Sequence, residues 1–224
     1  MKNGETKEVF LIRHAESIKN LANCFGDPQA QFSLTAKGIE QTKQLAVVLG
    51  NVLNDYNKER TLIVSNQESR ADQTAHSLKS QLNLPLITSA ELNPIDSGDL
   101  SGISESEARC LYPEIMQKKE AYRKGIVDGY ELRYPGGESV DHFQERIINA
   151  FFSVINNRVY DIFLYIGHQS TITAILSFFM NQAARNRFYH YIKLDLCGIS
   201  KINVCVDGTG HIEYINKPVD MLRR

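Results

Sequence analysis

Two histidines and two arginines stand where strands of a sheet are expected to end. His14 directly follows an apolar run of strand length that ends at Arg13, and His168 directly follows another such run. Arg70 comes shortly after a third run. Arginine side chains bind phosphoryl oxygens through paired hydrogen bonds and stabilise the charge of the transition state. Because a neutral imidazole nitrogen can attack phosphorus, these residue types indicate phosphoryl chemistry with a histidine nucleophile.

The elements that must position these residues alternate along the chain. The apolar and turn patterns predict strands over residues 8–13, 61–65, 85–88, 161–167, 199–206 and 212–217. They predict helices over residues 36–56, 70–81, 104–111, 140–157 and 170–180. This alternation predicts an α/β fold, a three-layer α/β/α sandwich with a mostly parallel central sheet. Ligands bind at the carboxyl ends of the strands in such sheets, so we expect the histidines and arginines to converge there.

One segment interrupts the alternating pattern. Residues from about 103 to 134 are charged and rich in tyrosine, and Pro113 stands where a helix would begin. We expect this segment to form a small helical lid or insert on a single domain that spans residues 1–224. No repeat and no low-complexity linker divides the sequence.

The composition is that of an ordinary soluble globular protein, with 42% hydrophobic and 23% charged residues. The net charge of −1 argues against nucleic acid as a partner. Residues 1–8 lack the apolar run of a signal peptide, and no apolar stretch is long enough to span a membrane. The four cysteines form no metal-binding or CxxC pattern, which favours reduced thiols and a cytoplasmic location. We expect no membrane partner and no metal site, and a homodimer is left open.

Five motifs, in the same order along the chain, resemble those of the histidine phosphatase superfamily (the phosphoglycerate mutase-like family), and in particular of its phosphatase branch. The first is Leu11-Ile-Arg-His-Ala-Glu-Ser17, which is similar to the Arg-His-Gly-Glu signature of that superfamily. The others lie within residues 34–41, 65–75, 135–139 and 166–170. Each motif alone is weak, whereas the ordered set over residues 8 to about 180 is strong.

The resemblance implies a role for each matching residue. His14 would be the phosphorylated nucleophile, in a pocket formed by the other matching residues. The implied catalytic set is His14, Arg13, Arg70 and His168. The implied substrate-binding set is Asn20, Ser17, Gln169 and Glu138, of which the last either touches the substrate or braces its loop. The resemblance implies no metal and no organic cofactor for the hydrolysis.

Three positions depart from the family pattern. Ala15 and Gln169 each replace a glycine, and Pro94 stands where the family has a glutamate that protonates the leaving group. Such a proton donor typically contributes about two to four powers of ten in rate. Asp96 is expected either to replace that glutamate or only to form a turn, and both alternatives stay open. Weaker candidates for the acid are Glu91, Asp99 and Glu105.

Three functions are compatible with this sequence. The first is a phosphomonoesterase that acts on a small phosphorylated substrate through a phosphohistidine intermediate. The second is a phosphotransferase of the phosphoglycerate mutase type, although residues 103–134 lack the longer basic insert of those enzymes. The third is a catalytically weak relative that binds a phosphorylated ligand, which Pro94 would favour. The sequence favours the phosphomonoesterase.

Overall fold

A mixed sheet of six strands forms the centre of the computed structural model, which describes residues 6–26, 30, 32–182 and 188–222. The strands are β1 (Thr6–Arg13), β2 (Thr61–Ser65), β3 (Leu86–Thr88), β4 (Ile162–Gly167), β5 (Ile199–Cys205) and β6 (Gly210–Lys217). Their order across the sheet is β3-β2-β4-β1-β5-β6. The first four strands pair in parallel, whereas β5 pairs antiparallel with β1 and β6 pairs antiparallel with β5. The predicted mostly parallel sheet is confirmed.

Seven α-helices lie within the described residues. They are α1 (Ile18–Ala22), α2 (Ala36–Val52), α3 (Ser69–Leu82), α4 (Glu105–Leu111), α5 (Pro113–Arg123), α6 (Val140–Ile155) and α7 (Gln169–Asn181). Helix α2 ends before the predicted residue 56, because the chain tightens into a 3₁₀ turn over Leu53–Asp55. The sequence pattern missed α1, a short helix of five residues with none buried. None of these helices is both long enough and apolar enough to cross a membrane.

The helices cover both faces of the sheet, and the alternation of side chains along each strand supplies a core to each face. On β1, Val9 and Leu11 belong to the core shared with α6 and α7. Phe10 and Ile12 belong to the core shared with α2 and α3. The residues of β4 divide between the two cores in the same way. This arrangement confirms the predicted three-layer sandwich.

Residues 103–134 form the expected helical insert. The Oγ atom of Ser104 accepts a hydrogen bond of 3.1 Å from the backbone N–H of Glu107 and so caps the start of α4. Pro113 occupies the first turn of α5, as predicted. A small apolar cluster packs beneath both helices and consists of Phe25, Leu100, Ala108 and Met116. Residues of α5 line the same cavity as residues at the carboxyl ends of β1 and β4.

A close backbone approach fixes the start of α2 against the loop that follows β1. The backbone N–H of Thr35 donates to the carbonyl oxygen of Glu16 at 3.0 Å. A Cβ atom on Gly38 would lie only 2.0 Å from that same carbonyl oxygen. Any side chain at Gly38 would therefore push α2 away from the loop.

We expect Gly38→Ala to lower the free energy of unfolding by about 1–3 kcal/mol, because the new methyl group meets rigid backbone. Gly50→Ala in the same helix is the matched control, since its Cβ would make only an ordinary contact of 3.5 Å with Leu82. The control is expected to be neutral or to stabilise by about 0.5–1 kcal/mol. Urea denaturation measures both variants, and equal effects would contradict the close approach.

Candidate active site

The parallel pairing of β1 with β4 brings His14 and His168 together. In this register Arg13 is opposite Gly167, and the backbone N–H of His14 donates to the carbonyl oxygen of Gly167 at 3.0 Å. The centroids of the two imidazole rings are 5.0 Å apart. The predicted convergence at the carboxyl edge of the sheet is therefore present.

The hydrogen bond of the His14 ring identifies the nitrogen that is free to react. Nδ1 lies 2.8 Å from the carbonyl oxygen of Ala15, and since a carbonyl only accepts, Nδ1 carries the proton. Nε2 therefore holds the lone pair. Burial lowers the pKa of His14 well below its ordinary value, and the positive charge of Arg70 lowers this pKa further. The ring is a neutral imidazole whose Nε2 can act as a nucleophile.

His168 is also held as a neutral ring. Its Nε2 atom lies 3.0 Å from Oδ1 of Asn66, which accepts its proton in a hydrogen bond. Burial lowers the pKa of His168 well below its ordinary value, and Arg70 and His14 add to this effect. Its Nδ1 atom is buried and has no hydrogen-bond partner among the described residues. That nitrogen can interact with a ligand.

Arg13 and Arg70 each keep part of the guanidinium group unpaired. Nη1 of Arg13 donates to the carbonyl oxygen of Leu194 at 2.5 Å, and Nη1 of Arg70 donates to Oε2 of Glu68 at 2.6 Å. The Nε atoms of both arginines are buried and lack a partner in the described part of the chain. A buried donor without a partner typically costs about 1–3 kcal/mol, so its presence calls for an explanation. An anion bound beside these donors would satisfy them.

The histidines and arginines open onto a cavity of about 450 Å³. Cationic side chains line it from the sheet, from α1, from α3 and from the insert: Arg13, Lys19, Arg70, Lys119 and Arg123. Four tyrosines also line it: Tyr122, Tyr134, Tyr189 and Tyr191. The cations and the unpaired donors make the cavity suitable for an anionic ligand.

Glu105 is the carboxylate that the described residues contribute to the cavity wall. It accepts hydrogen bonds of 2.7 Å from Lys119 and from Arg123. Burial alone would raise the pKa of Glu105, but the hydrogen bonds from Arg123 and Lys119 outweigh burial and lower the pKa to about 2. Glu105 is therefore ionised at neutral pH and has no proton to donate.

Asn20 lines the cavity, as predicted, whereas Ser17 is hydrogen-bonded to Asn20 and does not line the cavity. Oδ1 of Asn20 accepts hydrogen bonds from the backbone N–H of Ser17 at 3.0 Å and from its hydroxyl at 2.8 Å. This pairing leaves the amide NH₂ group of Asn20 to donate to a ligand. Ser17 is fully buried and is absent from the cavity wall, so it orients Asn20 and does not touch the ligand space.

Gln169 lines the cavity and also holds its wall in place. Its Oε1 atom accepts from the backbone N–H of Leu194 at 3.2 Å, and its Nε2 atom donates to the carbonyl oxygen of Ile192. Leu194 is also the residue whose carbonyl oxygen binds Arg13. The side chain that replaces the family's glycine thus anchors the segment that orients an arginine of the site.

Glu138 lies outside the main cavity and braces its own loop. It accepts hydrogen bonds of 3.0 Å and 2.8 Å from the guanidinium group of Arg146. The same carboxylate lies 3.1 Å from Nδ1 of His142. Of the two alternatives for Glu138, the structure favours the bracing role over contact with the substrate.

The structure corrects the expectation that Asp96 replaces the missing acid. Its side chain is exposed, and Oδ1 accepts a hydrogen bond of 2.9 Å from the backbone N–H of Gly98. Asp96 faces a neighbouring surface pocket, whereas Pro94, Ile95 and Ser97 line the main cavity. The turn at Gly98 holds the carboxylate, and Asp96 is absent from the lining of the cavity that His14 lines, so Asp96 is a turn former.

Sequence reasoning missed residues in three places. Asn66, which accepts a hydrogen bond from His168, lies in the motif within residues 65–75. Its position directly after β2 was a signal from which its place in the site could have been predicted. The cations of the insert, Lys119 and Arg123, gave no such signal, because packing of the insert brings them to the cavity. Lys19 directly precedes Asn20 and was also overlooked.

The backbone tolerates the two glycine replacements. Ala15 and Gln169 are both absent from the described residues with positive φ, so neither side chain strains the chain. Within the described residues no group of three or more potential ligands is placed to hold a metal ion.

Comparison with known proteins places this geometry in a family. A model of the histidine phosphatase superfamily (branch 1) matches residues 9–217. Human 6-phosphofructo-2-kinase/fructose-2,6-bisphosphatase 3 is 26% identical over 198 residues, which cover 88% of this chain and 34% of that protein. The rat 6-phosphofructo-2-kinase/fructose-2,6-bisphosphatase 4 is 27% identical over 197 residues, covering 88% of this chain and 37% of that protein. The chain spans about a third of the length of these curated relatives.

Solved structures share the fold at lower identity. Mycobacterial glucosyl-3-phosphoglycerate phosphatase in complex with inorganic phosphate has a TM-score of 0.76 at 16% identity, covering 95% of this chain and 98% of that one. The α-ribazole phosphatase of Shigella flexneri has a TM-score of 0.72 at 21% identity, covering 94% of this chain and 96% of that one. The match of the family model over nearly the whole described chain is decisive: this protein belongs to the histidine phosphatase superfamily, branch 1.

Proposed function

We propose that the protein is a phosphomonoesterase that hydrolyses a small phosphorylated substrate through a phosphohistidine at His14. One observation carries this proposal. A neutral histidine with its lone pair on Nε2 lines a cavity together with Arg13 and Arg70, whose buried Nε atoms have no partner among the described residues. These donors match the non-bridging oxygens of a phosphoryl group.

The geometry supports a reaction in two steps. Nε2 of His14 attacks phosphorus, and the bond to the ester oxygen breaks while Arg13 and Arg70 stabilise the charge on the phosphoryl oxygens. Water next attacks the phosphohistidine, and the bond between nitrogen and phosphorus breaks to release inorganic phosphate.

The cavity favours a small substrate with more than one negative charge. Its volume of about 450 Å³ suits a molecule of metabolite size. Five cationic side chains line it, of which Lys119 and Arg123 are already paired with Glu105. The names of the relatives, fructose-2,6-bisphosphatase among them, agree with a phosphorylated sugar or a similar metabolite.

A second candidate is a protein that binds a phosphorylated ligand with little turnover. Pro94 occupies the position of the usual acid, and Glu105 is ionised beside its two cations. Binding of phosphate or vanadate without hydrolysis of any ester in a broad panel would favour this candidate.

We expect His14→Ala to abolish hydrolysis of p-nitrophenyl phosphate and to prevent covalent labelling by a ³²P-labelled ester. The wild-type protein, quenched with denaturant at high pH, should carry label on His14, since a phosphohistidine forms before water attacks. Mass spectrometry of the labelled peptide locates the phosphoryl group.

The matched control is His76→Ala, because His76 is exposed on α3 and lies outside the cavity wall. This control should keep both activity and label. Equal hydrolysis by the wild-type protein and the His14→Ala variant would contradict the proposed function.

Attack requires the unprotonated ring of His14, so the protonation state of this residue provides a second test. We expect the imidazole of His14 to stay neutral down to pH values below 6.5, because burial and Arg70 lower its pKa. Arg70→Gln removes one neighbouring positive charge, so the pKa of His14 should rise in that variant. Nitrogen-15 NMR of the imidazole groups measures both titrations, and wild-type protonation of His14 at or above pH 6.5 would refute this electrostatic account.

A further inference from the structure

The proposed reaction needs a proton for the departing oxygen, and the cavity offers few sources. Glu105 is ionised, as its pKa of about 2 requires. Burial raises the pKa of Tyr134 far above neutrality, which makes this phenol a weak acid. His14 uses its Nε2 for attack, and the ring proton of His168, on Nε2, is donated in a hydrogen bond to Asn66. Proline at position 94 has no proton to give.

Lys19 lines the same cavity as Pro94, the position at which the acid is missing. Its Cε atom is 3.8 Å from the place that a side chain on Gly26 would occupy. Gly26 and Pro94 both line the main cavity and the neighbouring surface pocket. The lysine side chain therefore lies beside Gly26, which borders both spaces, as Pro94 does.

The ammonium group of Lys19 has no partner in the described part of the chain. No hydrogen bond and no ion pair to its Nζ atom is found there, whereas Lys119 in the same cavity binds Glu105 at 2.7 Å. A partly buried ammonium group without a partner is less stable than a paired one. A substrate in the cavity would supply the missing partner.

The surroundings also make Lys19 a usable acid. Burial, together with the charges of Arg70 on α3, Lys119 on α5 and Arg13 on β1, lowers its pKa to about 8, while the thiol of Cys24 acts in the opposite direction. His14 and His168 also feel its charge. Lysine can release a proton near neutral pH in such a site, whereas arginine cannot.

We propose that Lys19 is a catalytic residue that protonates the leaving oxygen, an inference that rests on the proposed phosphomonoesterase function. As Nε2 of His14 bonds to phosphorus, the electron pair of the broken P–O bond stays on the ester oxygen. That oxygen takes a proton from the ammonium group and departs as an alcohol, leaving a neutral amine. The amine then accepts a proton from the water that attacks the phosphohistidine, which restores the ammonium group.

Two substrates with different needs for a proton test this role. Glycerol 2-phosphate releases an alkoxide that must be protonated, whereas p-nitrophenyl phosphate releases a stable phenolate. For Lys19→Gln we expect kcat/KM on the alkyl ester to fall by about 10²- to 10⁴-fold. The loss on the aryl ester should be at least about tenfold smaller, because its departure needs no acid. Lys43→Gln, at an exposed lysine on α2, is the control and should leave both rates unchanged.

Lys19→Arg separates proton transfer from charge alone. It keeps the positive charge but removes the proton donor, so it should lose activity on the alkyl ester as Lys19→Gln does. The wild-type pH profile adds a second readout. Because Lys19 must be protonated in the free enzyme, kcat/KM for the alkyl ester should fall above about pH 8, and the aryl ester should lack this decline.

The outcomes separate this inference from the function on which it rests. Equal losses on both esters in Lys19→Gln, or full activity on both in Lys19→Arg, would overturn the proton-donor role. Hydrolysis that depends on His14 would in either case leave the phosphomonoesterase function in place. Failure of the wild-type protein to hydrolyse either ester would overturn the proposed function, and the role of Lys19 with it.

Discussion

The site depends on the single register in which β1 and β4 pair. A shift by one residue would turn every side chain of a strand to the opposite face. Both strands supply alternate residues to two different apolar cores, so such a shift would expose one set and misplace the other. The cores therefore fix the register. The register in turn sets Arg13 opposite Gly167 and places the rings of His14 and His168 at 5.0 Å.

The electrostatics of the cavity follow from that convergence. Arg13 of β1, Lys19 of α1 and Arg70 of α3 place positive charges beside two buried imidazoles, and burial and these charges together keep both rings neutral. The same convergence leaves donors on Arg13, Arg70 and Asn66 without partners in the described residues. Unpaired donors and neighbouring like charges are unfavourable in the empty site. Binding of a phosphoryl group gives the donors partners and offsets the repulsion between the like charges. The affinity for phosphate and the nucleophilicity of His14 therefore follow from one arrangement of residues.

Local signals made the fold and the centre of the site predictable. The strands and most helices follow from apolar patterns, and His14, Arg13, Arg70 and His168 lie in short motifs at strand or helix ends. The remaining features depend on contacts between distant segments. The packing that carries Lys119 to the cavity leaves no trace in local patterns. The turn in which Gly98 donates to Asp96 is local, but the sequence pattern did not decide between this turn and a catalytic role. The placement of Lys19 likewise depends on how α1 follows β1, and the sequence pattern did not reveal that short helix.

The central claim is that His14 is the nucleophile of a phosphoryl site built by β1, α3 and α7. A crystal structure of the protein with vanadate tests this claim most directly, since vanadate resembles the pentacoordinate phosphorus of the transition state. The account predicts vanadium bonded to Nε2 of His14, with its oxygens bound by Nε of Arg13 and Nε of Arg70. Vanadate seated only against Lys119 and Arg123, with Nε2 of His14 left free, would contradict it.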